Sequence, residues 1–413
     1  MGLRDSGGLP YSKASVFDMF CFWAMTIDIL FLPYLPFIAV SVSVVVGVSW
    51  MVLNLHRLYH DKEWEWFVIM LFLMLMGTIM TAFYTGTVRF ETSVSTSIKR
   101  FLQYGICFCY YFFYKSYFEK RKVDIRKIIF WAVIFMALFA LAYRLFPEQY
   151  AALKIAVHPS DNHTRRFLAN MVSYRFNYLW TDPNNIAYLA AGVSSWYCLQ
   201  NKNRFVHTII VLLASFFIIF CTVSNGGLII FIAMITFMAA GTIKKLICNK
   251  GRVKTNVLIV AVAILFAAFF LLSFTSLKHV LYDHYIVNFL QRLEVYLGAN
   301  SSPSGGRFED LMHGLAILSP VTLILGTGQE GIVTEIGHIY WIGMYGVLAY
   351  FIFMYLMFRK NRNQTWRSYL WVIPFFVGFS MNIAIGEFKW MAVYLLLLAY
   401  SRSSQGQEIE WEE

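Results

Sequence analysis

Two side chains that could transfer protons, Glu335 and His338, lie three positions apart at the start of a long apolar run. Residues three apart on a helix share one face. A carboxylate or an imidazole in such a place can remove a proton from a hydroxyl group, so both are candidate general bases. A histidine at the start of a helix can also be an ordinary interfacial polar residue, and the sequence leaves both interpretations open.

Arginines that could bind a phosphate precede this pair. Arg166 and Arg175 lie before the turn sequence "TDPNN", and Arg307 begins "RFEDLMHGLAIL", a pattern typical of a short amphipathic helix. One guanidinium can donate two parallel hydrogen bonds to the oxygens of a phosphate. Because a cation at a helix N-terminus opposes the helix dipole, Arg307 needs a partner. That partner is either an anionic ligand or the neighbouring Glu309 or Asp310.

Three glycines between these groups, Gly326, Gly328 and Gly331, have the G-x-G-x-x-G spacing of a dinucleotide-binding turn. That turn requires a βαβ unit, and the surrounding sequence predicts none. We therefore expect the glycines to let the chain turn sharply between the helix that begins at Arg307 and the span that begins near Glu335. The chain also has no H-E-x-x-H, D-x-D, P-loop or C-x-x-C motif, and we expect no metal or cofactor.

The composition predicts the elements that must position these residues. Of 413 residues, 59% are hydrophobic and 14% are charged, whereas roughly a quarter of residues are charged in soluble domains. Apolar runs long enough to cross a bilayer recur along the chain, and only helices satisfy the backbone of such apolar segments. The sequence therefore predicts an all-α polytopic integral membrane protein, with residues 1–413 forming one transmembrane domain. About twelve spans are predicted, at 15–32, 34–54, 66–84, 99–118, 128–146, 184–200, 206–223, 226–243, 255–274, 336–358, 368–384 and 388–401.

The positive charge is concentrated on alternate loops. The net charge is +11, and the basic segments are 119–127, 201–204, 244–254 and 359–367. This is the positive-inside pattern, which places these loops and both termini in the cytoplasm. It accounts for the charge without a nucleic-acid partner. The first span is expected to be an anchor, since it lacks a signal-peptide cleavage site.

Two long segments, 147–183 and 275–335, fall on the opposite side of the membrane. Loops of this length are usually functional or disordered, and these contain arginines and histidines. A transporter would show the reverse pattern, with short loops and polar spans. Ionisable residues inside the spans are rare: Asp18 and Asp28 lie in the first, and we expect Glu387 and Lys389 to form an interfacial pair.

The motif order from about residue 165 to 360 resembles the Wzy-type O-antigen polymerase and O-antigen ligase superfamily. The similar segments are "RFNYLWTDPNNIAYLAAG", "SNGG", "SGGRFEDL", "LGTG" and "EIGHIYWIGMYGVLAYFIF". The first half of the chain is similar only in its number of spans.

The resemblance implies a C-type glycosyltransferase-like protein of the bacterial inner membrane, independent of metals, with two large periplasmic loops that carry its active site. The implied substrate is an undecaprenyl-diphosphate-linked oligosaccharide, and the implied partners are membrane lipid and a chain-length regulator. The residues expected to bind it are Arg307, Arg175, Arg166, Asn184 and Asn225. His338 or Glu335 occupies the position of the base.

The sequence departs from the family at two places. Relatives often have an arginine where this chain has Asn225, and ligases commonly have an asparagine where this chain has Ile339. Glu335 followed by Ile336 and Gly337 is closer to the polymerase pattern. The expected function is therefore O-antigen polymerase, with O-antigen ligase and a flippase for lipid-linked oligosaccharide as alternatives.

Overall fold

A computed structural model describes residues 15–33, 41–58, 61–88, 91–157, 175–179, 182–200, 205–248, 287, 312, 314–316, 318–332, 336–361, 365–381 and 388–403. All the regular elements in these ranges are helices. They are α1 Val16–Phe31, α2 Val42–Leu58, α3 Lys62–Met80, α4 Val94–Lys120, α5 Ile125–Leu145, α6 Pro147–Val157, α7 Pro183–Gln200, α8 Phe205–Thr222, α9 Asn225–Cys248, α10 Pro320–Leu325, the 3₁₀ turn Glu330–Ile332, α11 Gly337–Phe358, α12 Trp366–Tyr369, α13 Val372–Met381 and α14 Phe388–Arg402.

The described part of the chain is a helical protein with membrane-type helices, as predicted. Three helices are long and apolar enough to cross a membrane: α3, α5 and α11. Shorter apolar stretches occupy Ser43–His56, Val206–Thr222 and Asn225–Met238. Each predicted span overlaps one of the fourteen α-helices given above except 255–274, which lies outside the described residues. The number of helices that cross a membrane stays a prediction.

Helix α1 shows how local sequence sets these elements. Ser15 and Asp18 form a capping box, in which the Asp18 amide donates to Ser15 Oγ and the Ser15 amide donates to Asp18 Oδ2, both at 3.0 Å. The other Asp18 oxygen accepts a hydrogen bond of 2.8 Å from Trp50 Nε1. Asp18 is therefore tolerated in an apolar helix because its carboxylate accepts from the Ser15 amide and from the Trp50 indole.

Helix α4 is the centre of the first group of helices. Its aromatic face, from Tyr104 to Phe118, is buried. The ring of Phe22 stacks on Tyr117 with centroids 4.5 Å apart, which places α1 against it. On another side α14 runs alongside α4, with Phe388 touching Tyr110. A second group surrounds α7, which packs against α5, α8, α9 and α13.

The basic residues near the predicted cytoplasmic loops 119–127 and 359–367 lie at one end of this bundle. Lys120 Nζ lies 3.9 Å from Asp18 Oδ2 at the start of α1. Glu63, at the start of α3, pairs with Arg359 and Arg402 from the ends of α11 and α14. The turn between α8 and α9 and the segment 326–329 lie at the opposite end, beside the last residues of α3 and α1.

Helix α11 is broken, which the predicted single span at 336–358 did not anticipate. Gly346 has φ 82° and ψ 163°, so the helix divides into arms of 337–345 and 347–358. The rings of Trp341 and Phe353 stack with centroids 4.0 Å apart. Twelve residues of straight helix would separate them by about 18 Å, so the two arms meet at a sharp elbow. Neither arm alone has the roughly 20 residues that cross a bilayer.

The segment after α10 supplies the hydrogen bonds that the break removes. The Thr327 amide donates to Gly343 O at 2.7 Å, and the Gly328 amide donates to Met344 O at 3.0 Å. In an unbroken helix those carbonyls would accept from the amides of residues 347 and 348. Gly326 and Gly328 have φ values of 81° and 69°, in the left-handed region that favours glycine.

This docked segment also joins α3 to α4. Gln329 Oε1 accepts a hydrogen bond of 2.7 Å from the Thr92 amide. The Glu330 amide donates to Thr92 Oγ1 at 2.8 Å, and the Glu330 carboxylate pairs with Arg100 on α4. The stretch that resembled a nucleotide loop thus acts as a structural connector at this end of the bundle.

A buried ion pair links α1, α2 and α14. Lys389 Nζ lies 3.2 Å from Asp28 Oδ1, and both side chains are almost fully buried, at 0% and 2% exposure. Lys389 also donates to the carbonyls of Asp28 at 2.7 Å and Leu32 at 2.6 Å, while Asp28 Oδ2 accepts from Ser41 and Ser43. Glu387, the partner expected from the sequence, lies outside the described residues, and the described partner of Lys389 is Asp28 in the interior.

We predict that Gly346→Ala lowers the stability of the protein in detergent by more than about 2 kcal/mol, because the left-handed backbone disfavours a side chain. An added Cβ would also lie 1.9 Å from Ile324 O. The midpoint of thermal unfolding measures the effect. Gly105→Ala is the matched control: its Cβ would meet only Leu71 Cδ2, at 3.4 Å, so stability should be unchanged or raised. Equal midpoints for both variants would contradict the break at Gly346.

We also predict that Lys389→Met is destabilising by about 3–5 kcal/mol, because it leaves the Asp28 carboxylate buried without its cation. The double variant Asp28→Asn with Lys389→Met should recover part of that loss. Thermal unfolding of the two single variants and the double variant measures the coupling. A double variant whose loss equals the sum of the single losses would show that the two side chains do not interact.

Candidate functional site

The seven site residues predicted from the sequence fall into two sets. Arg175, Asn184, Asn225 and His338 are described by the structure. Glu335, Arg307 and Arg166 lie outside the described residues. The geometry therefore bears on the first four.

Arg175 ties together two of the elements at the end of the bundle away from the basic loops. Its Nη2 atom donates a hydrogen bond of 2.8 Å to Asn184 Oδ1. Its Nε atom donates to the carbonyl of Thr222, the last residue of α8, at 3.2 Å. The guanidinium is thus oriented by a side chain on α7 and by the C-terminus of α8, where the helix dipole favours a cation.

Asn184 is itself fixed by the turn that starts α7. The backbone amide of Asn184 donates a hydrogen bond of 2.7 Å to Asp182 Oδ1, and Pro183 occupies the first helical position. Asp182 therefore caps the helix, as its place before proline predicts. This local geometry aims the Asn184 amide oxygen at Arg175.

Asn225 lies in the turn that follows Thr222. Val223 has a left-handed φ of 52°, and Ser224 Oγ accepts from the Gly227 amide at 3.3 Å, which caps α9. Asn225 is the first residue of α9 and is half-buried. The structure therefore brings Arg175 and Asn184 into direct contact and places Asn225 three residues after the carbonyl that Arg175 binds.

Two basic residues that sequence reasoning missed flank the same segment. Arg144, in the last turn of α5, lies beside Cys221, and its Nη2 atom is buried with no hydrogen-bond partner in the described part of the chain. Lys154, on α6, is 3% exposed and donates to Tyr178 O at 2.7 Å. The sequence does contain a signal for both residues, which is their location. Cations on the side opposite the basic loops are exceptions to the positive-inside pattern.

Arg175 begins the segment 175–179, Lys154 contacts it at Tyr178 O, and Arg144 lies beside Cys221, to which the segment is hydrogen-bonded. Two hydrogen bonds fix this segment to the ends of α8 and α1. The Phe176 amide donates to Cys221 O at 2.8 Å, and Tyr178 Oη donates to Leu30 O at 2.8 Å. Guanidinium and ammonium groups fixed in this way suit an anionic group, above all one with phosphate oxygens. Among the described residues no group of three or more His, Cys, Asp or Glu side chains could hold a metal ion.

His338 lies near the start of the first arm of α11, and both of its ring nitrogens have hydrogen-bond partners. Nδ1 is 2.8 Å from Tyr350 Oη, and Nε2 is 2.6 Å from Ser380 Oγ. Because Ser380 donates its own proton to Phe376 O at 2.8 Å, its oxygen accepts from Nε2–H. The Tyr350 hydroxyl then donates to Nδ1. The ring joins both arms of α11 to α13, and no contact with Arg175 is present within the described ranges.

We predict that His338→Ala lowers stability by about 1–3 kcal/mol, because the hydroxyls of Tyr350 and Ser380 lose their shared partner. Thermal unfolding in detergent measures the change. His56→Ala is the control, since His56 is exposed, and it should leave the unfolding midpoint unchanged. Loss of the same size in the two variants would contradict the bridging role of the His338 ring.

Comparisons of the chain with protein-family models, with curated proteins and with solved structures found no match. A function can therefore be inferred only from the placement of the residues themselves. The most informative feature is the group of basic side chains in and beside the segment 175–179, at the end of the bundle away from the basic loops.

Proposed function

We propose that this protein is an O-antigen polymerase, an integral membrane glycosyltransferase independent of metals. It would transfer a growing glycan from undecaprenyl diphosphate to the terminal sugar of a new lipid-linked repeat unit. In this proposal the chain lies in the bacterial inner membrane with about twelve helices, both termini in the cytoplasm and the loops 147–183 and 275–335 in the periplasm. Membrane lipid and a chain-length regulator are its further partners, and nucleic acid is not one.

The observation that carries the proposal is the placement of Arg144, Lys154 and Arg175 in and beside the segment 175–179 at one end of the bundle. A diphosphate leaves readily only when its negative charge is neutralised. Cations already fixed in place stabilise that developing charge without reorganisation, which is usually the largest catalytic contribution. The orientation of Arg175 by Asn184 and Thr222 O supports such a preorganised role.

The proposed reaction is a single displacement. The acceptor hydroxyl oxygen forms a bond to the anomeric carbon of the donor sugar while the bond from that carbon to the diphosphate oxygen breaks. Undecaprenyl diphosphate leaves with the electron pair, and the hydroxyl proton passes to a base. Arg307 and Arg166 would add to the phosphate site, and Asn225 would contact the substrate.

Glu335 and His338 are the candidates for the base. His338 Nδ1 accepts a hydrogen bond from Tyr350, so it could accept the substrate proton only after that hydroxyl moves away. We therefore assign the proton to Glu335 first and keep His338 as the second candidate.

We predict that Arg175→Ala slows elongation by about 10²–10³-fold, the usual loss when one preorganised charge-stabilising group is removed. Arg144→Gln should slow it as well, and it is the safer variant for folding because Arg144 Nη2 has no described hydrogen-bond partner to lose. Elongation of a purified lipid-linked repeat unit in the presence of EDTA is the measurement. Arg126→Gln, at the other end of the bundle where Arg126 pairs with Asp124, is the control.

The same variants in cells separate the alternatives. Loss of a polymerase leaves single repeat units on the lipid A-core, loss of an O-antigen ligase leaves bare core, and loss of a flippase traps repeat units on the cytoplasmic side. Long-chain ladders of normal length from both Arg175→Ala and Arg144→Gln would refute the proposal. A requirement for added metal would refute its mechanism.

A further inference from the structure

An ionic cavity lies at the basic end of the bundle, opposite the arginine site. Its volume is about 620 Å³, and it opens among α3, α4 and α11 and the ends of α2 and α14. The charged residues that line it are Asp61, Lys62, Glu63, Lys115, Glu119, Arg359 and Arg402, which are four cations and three carboxylates. The proposed polymerase reaction uses none of them.

The cavity has more positive than negative groups around its centre. The single carboxylate of Glu63 contacts three cations: Lys115 at 2.8 Å, Arg402 at 3.6 Å and Arg359. Asp61 takes a second contact from Lys115, at 2.5 Å. Lys62 forms no ion pair within the described ranges and is exposed at the cavity wall. Arg359 and Lys62 therefore offer positive charge to a further anion.

Arg359 is held in a fixed orientation at the cavity wall. Its guanidinium carbon lies 4.7 Å from the centre of the Tyr355 ring, while Nη2 pairs with Glu63. A guanidinium stacked in this way keeps donors in a fixed plane, which suits the oxygens of a phosphate. Its side chain is 35% exposed, so a ligand in the cavity can reach it.

The cavity continues into an apolar surface on the outside of the bundle. Trp66 and Tyr355 line the cavity, and their rings are 5.9 Å apart. From Trp66 the exposed residues Ile69 and Phe72 follow along α3, and from Tyr355 the exposed Phe351 and Leu348 follow along α11. Because α3 and α11 run in opposite directions and pack together, these rows border one strip that starts at the cavity.

We propose that this cavity binds the phosphate group of a membrane glycerophospholipid, whose acyl chains lie along the strip between α3 and α11. Arg359 and Lys62 contact the phosphate, and Trp66 and Tyr355 lie at the level of the lipid headgroups, where their rings are favoured. A free phosphate would use the cations and leave the adjoining apolar strip unused. The continuity of the charged cavity with the strip is what favours a lipid.

The test uses the full-length protein, purified and delipidated in detergent, with phosphatidylglycerol as the probe and native mass spectrometry as the readout. We expect one retained lipid per chain. Arg359→Glu should weaken its binding at least about tenfold, the loss expected for one charge-assisted contact. Lys62→Glu should also weaken it and is the variant that preserves the fold, because Lys62 has no described ion pair. Lys127→Glu, whose side chain is 65% exposed near the same end, should bind as the unaltered protein does.

Two further measurements separate a lipid from its headgroup. Trp66→Ala should weaken phosphatidylglycerol binding, and glycerol phosphate or inorganic phosphate should fail to displace the lipid at equal concentration. Displacement by either small phosphate would overturn the assignment in favour of a free anion. Equal lipid retention by Lys62→Glu, Arg359→Glu and Lys127→Glu would show that the cavity charges serve only to join the helices.

Discussion

The structure around Gly346 and the segment 326–330 depends on one constraint. Backbone groups inside a membrane protein must find hydrogen-bond partners within the protein. Gly346 breaks α11 and leaves the carbonyls of Gly343 and Met344 without their helical donors. The amides of Thr327 and Gly328 replace those donors. The break is tolerated only because this second segment is docked against it.

That docking has consequences beyond the elbow. Gln329 accepts a hydrogen bond from the Thr92 amide, and Glu330 forms an ion pair with Arg100. The same segment therefore also fixes the start of α4 and the residues just before it. The elbow also brings Tyr350 back to His338. His338, a candidate base in the sequence, therefore has both ring nitrogens engaged, because the chain bends at Gly346, eight residues further along α11.

Charge is used in three distinct ways in this apolar molecule. Asp28 and Lys389 are buried together, with serine hydroxyls and backbone carbonyls around them, so neither is left without a partner. At the basic end, Glu63 forms ion pairs with cations from α4 and from the C-terminal ends of α11 and α14. Around the segment 175–179 the basic groups instead come from separate elements, and buried Arg144 Nη2 has no described partner. The first arrangement joins helices, the second joins helices and also carries the proposed lipid-phosphate site, and the third suits an anionic ligand.

The sequence by itself determined the helical membrane class, because only helices satisfy the backbone in apolar runs of this length. It also determined the caps at Ser15 and Asp182 and the left-handed backbone at Gly326 and Gly328, since these depend on residues close together in the chain. Only the tertiary structure decided that α11 is broken, that Lys389 pairs with Asp28, and that Arg144 and Lys154 join Arg175. The apolar pattern reports that a segment is buried, and it is the same for a straight and a bent helix. Contacts between residues far apart in the chain are set by how the helices pack, and no spacing within one segment records that.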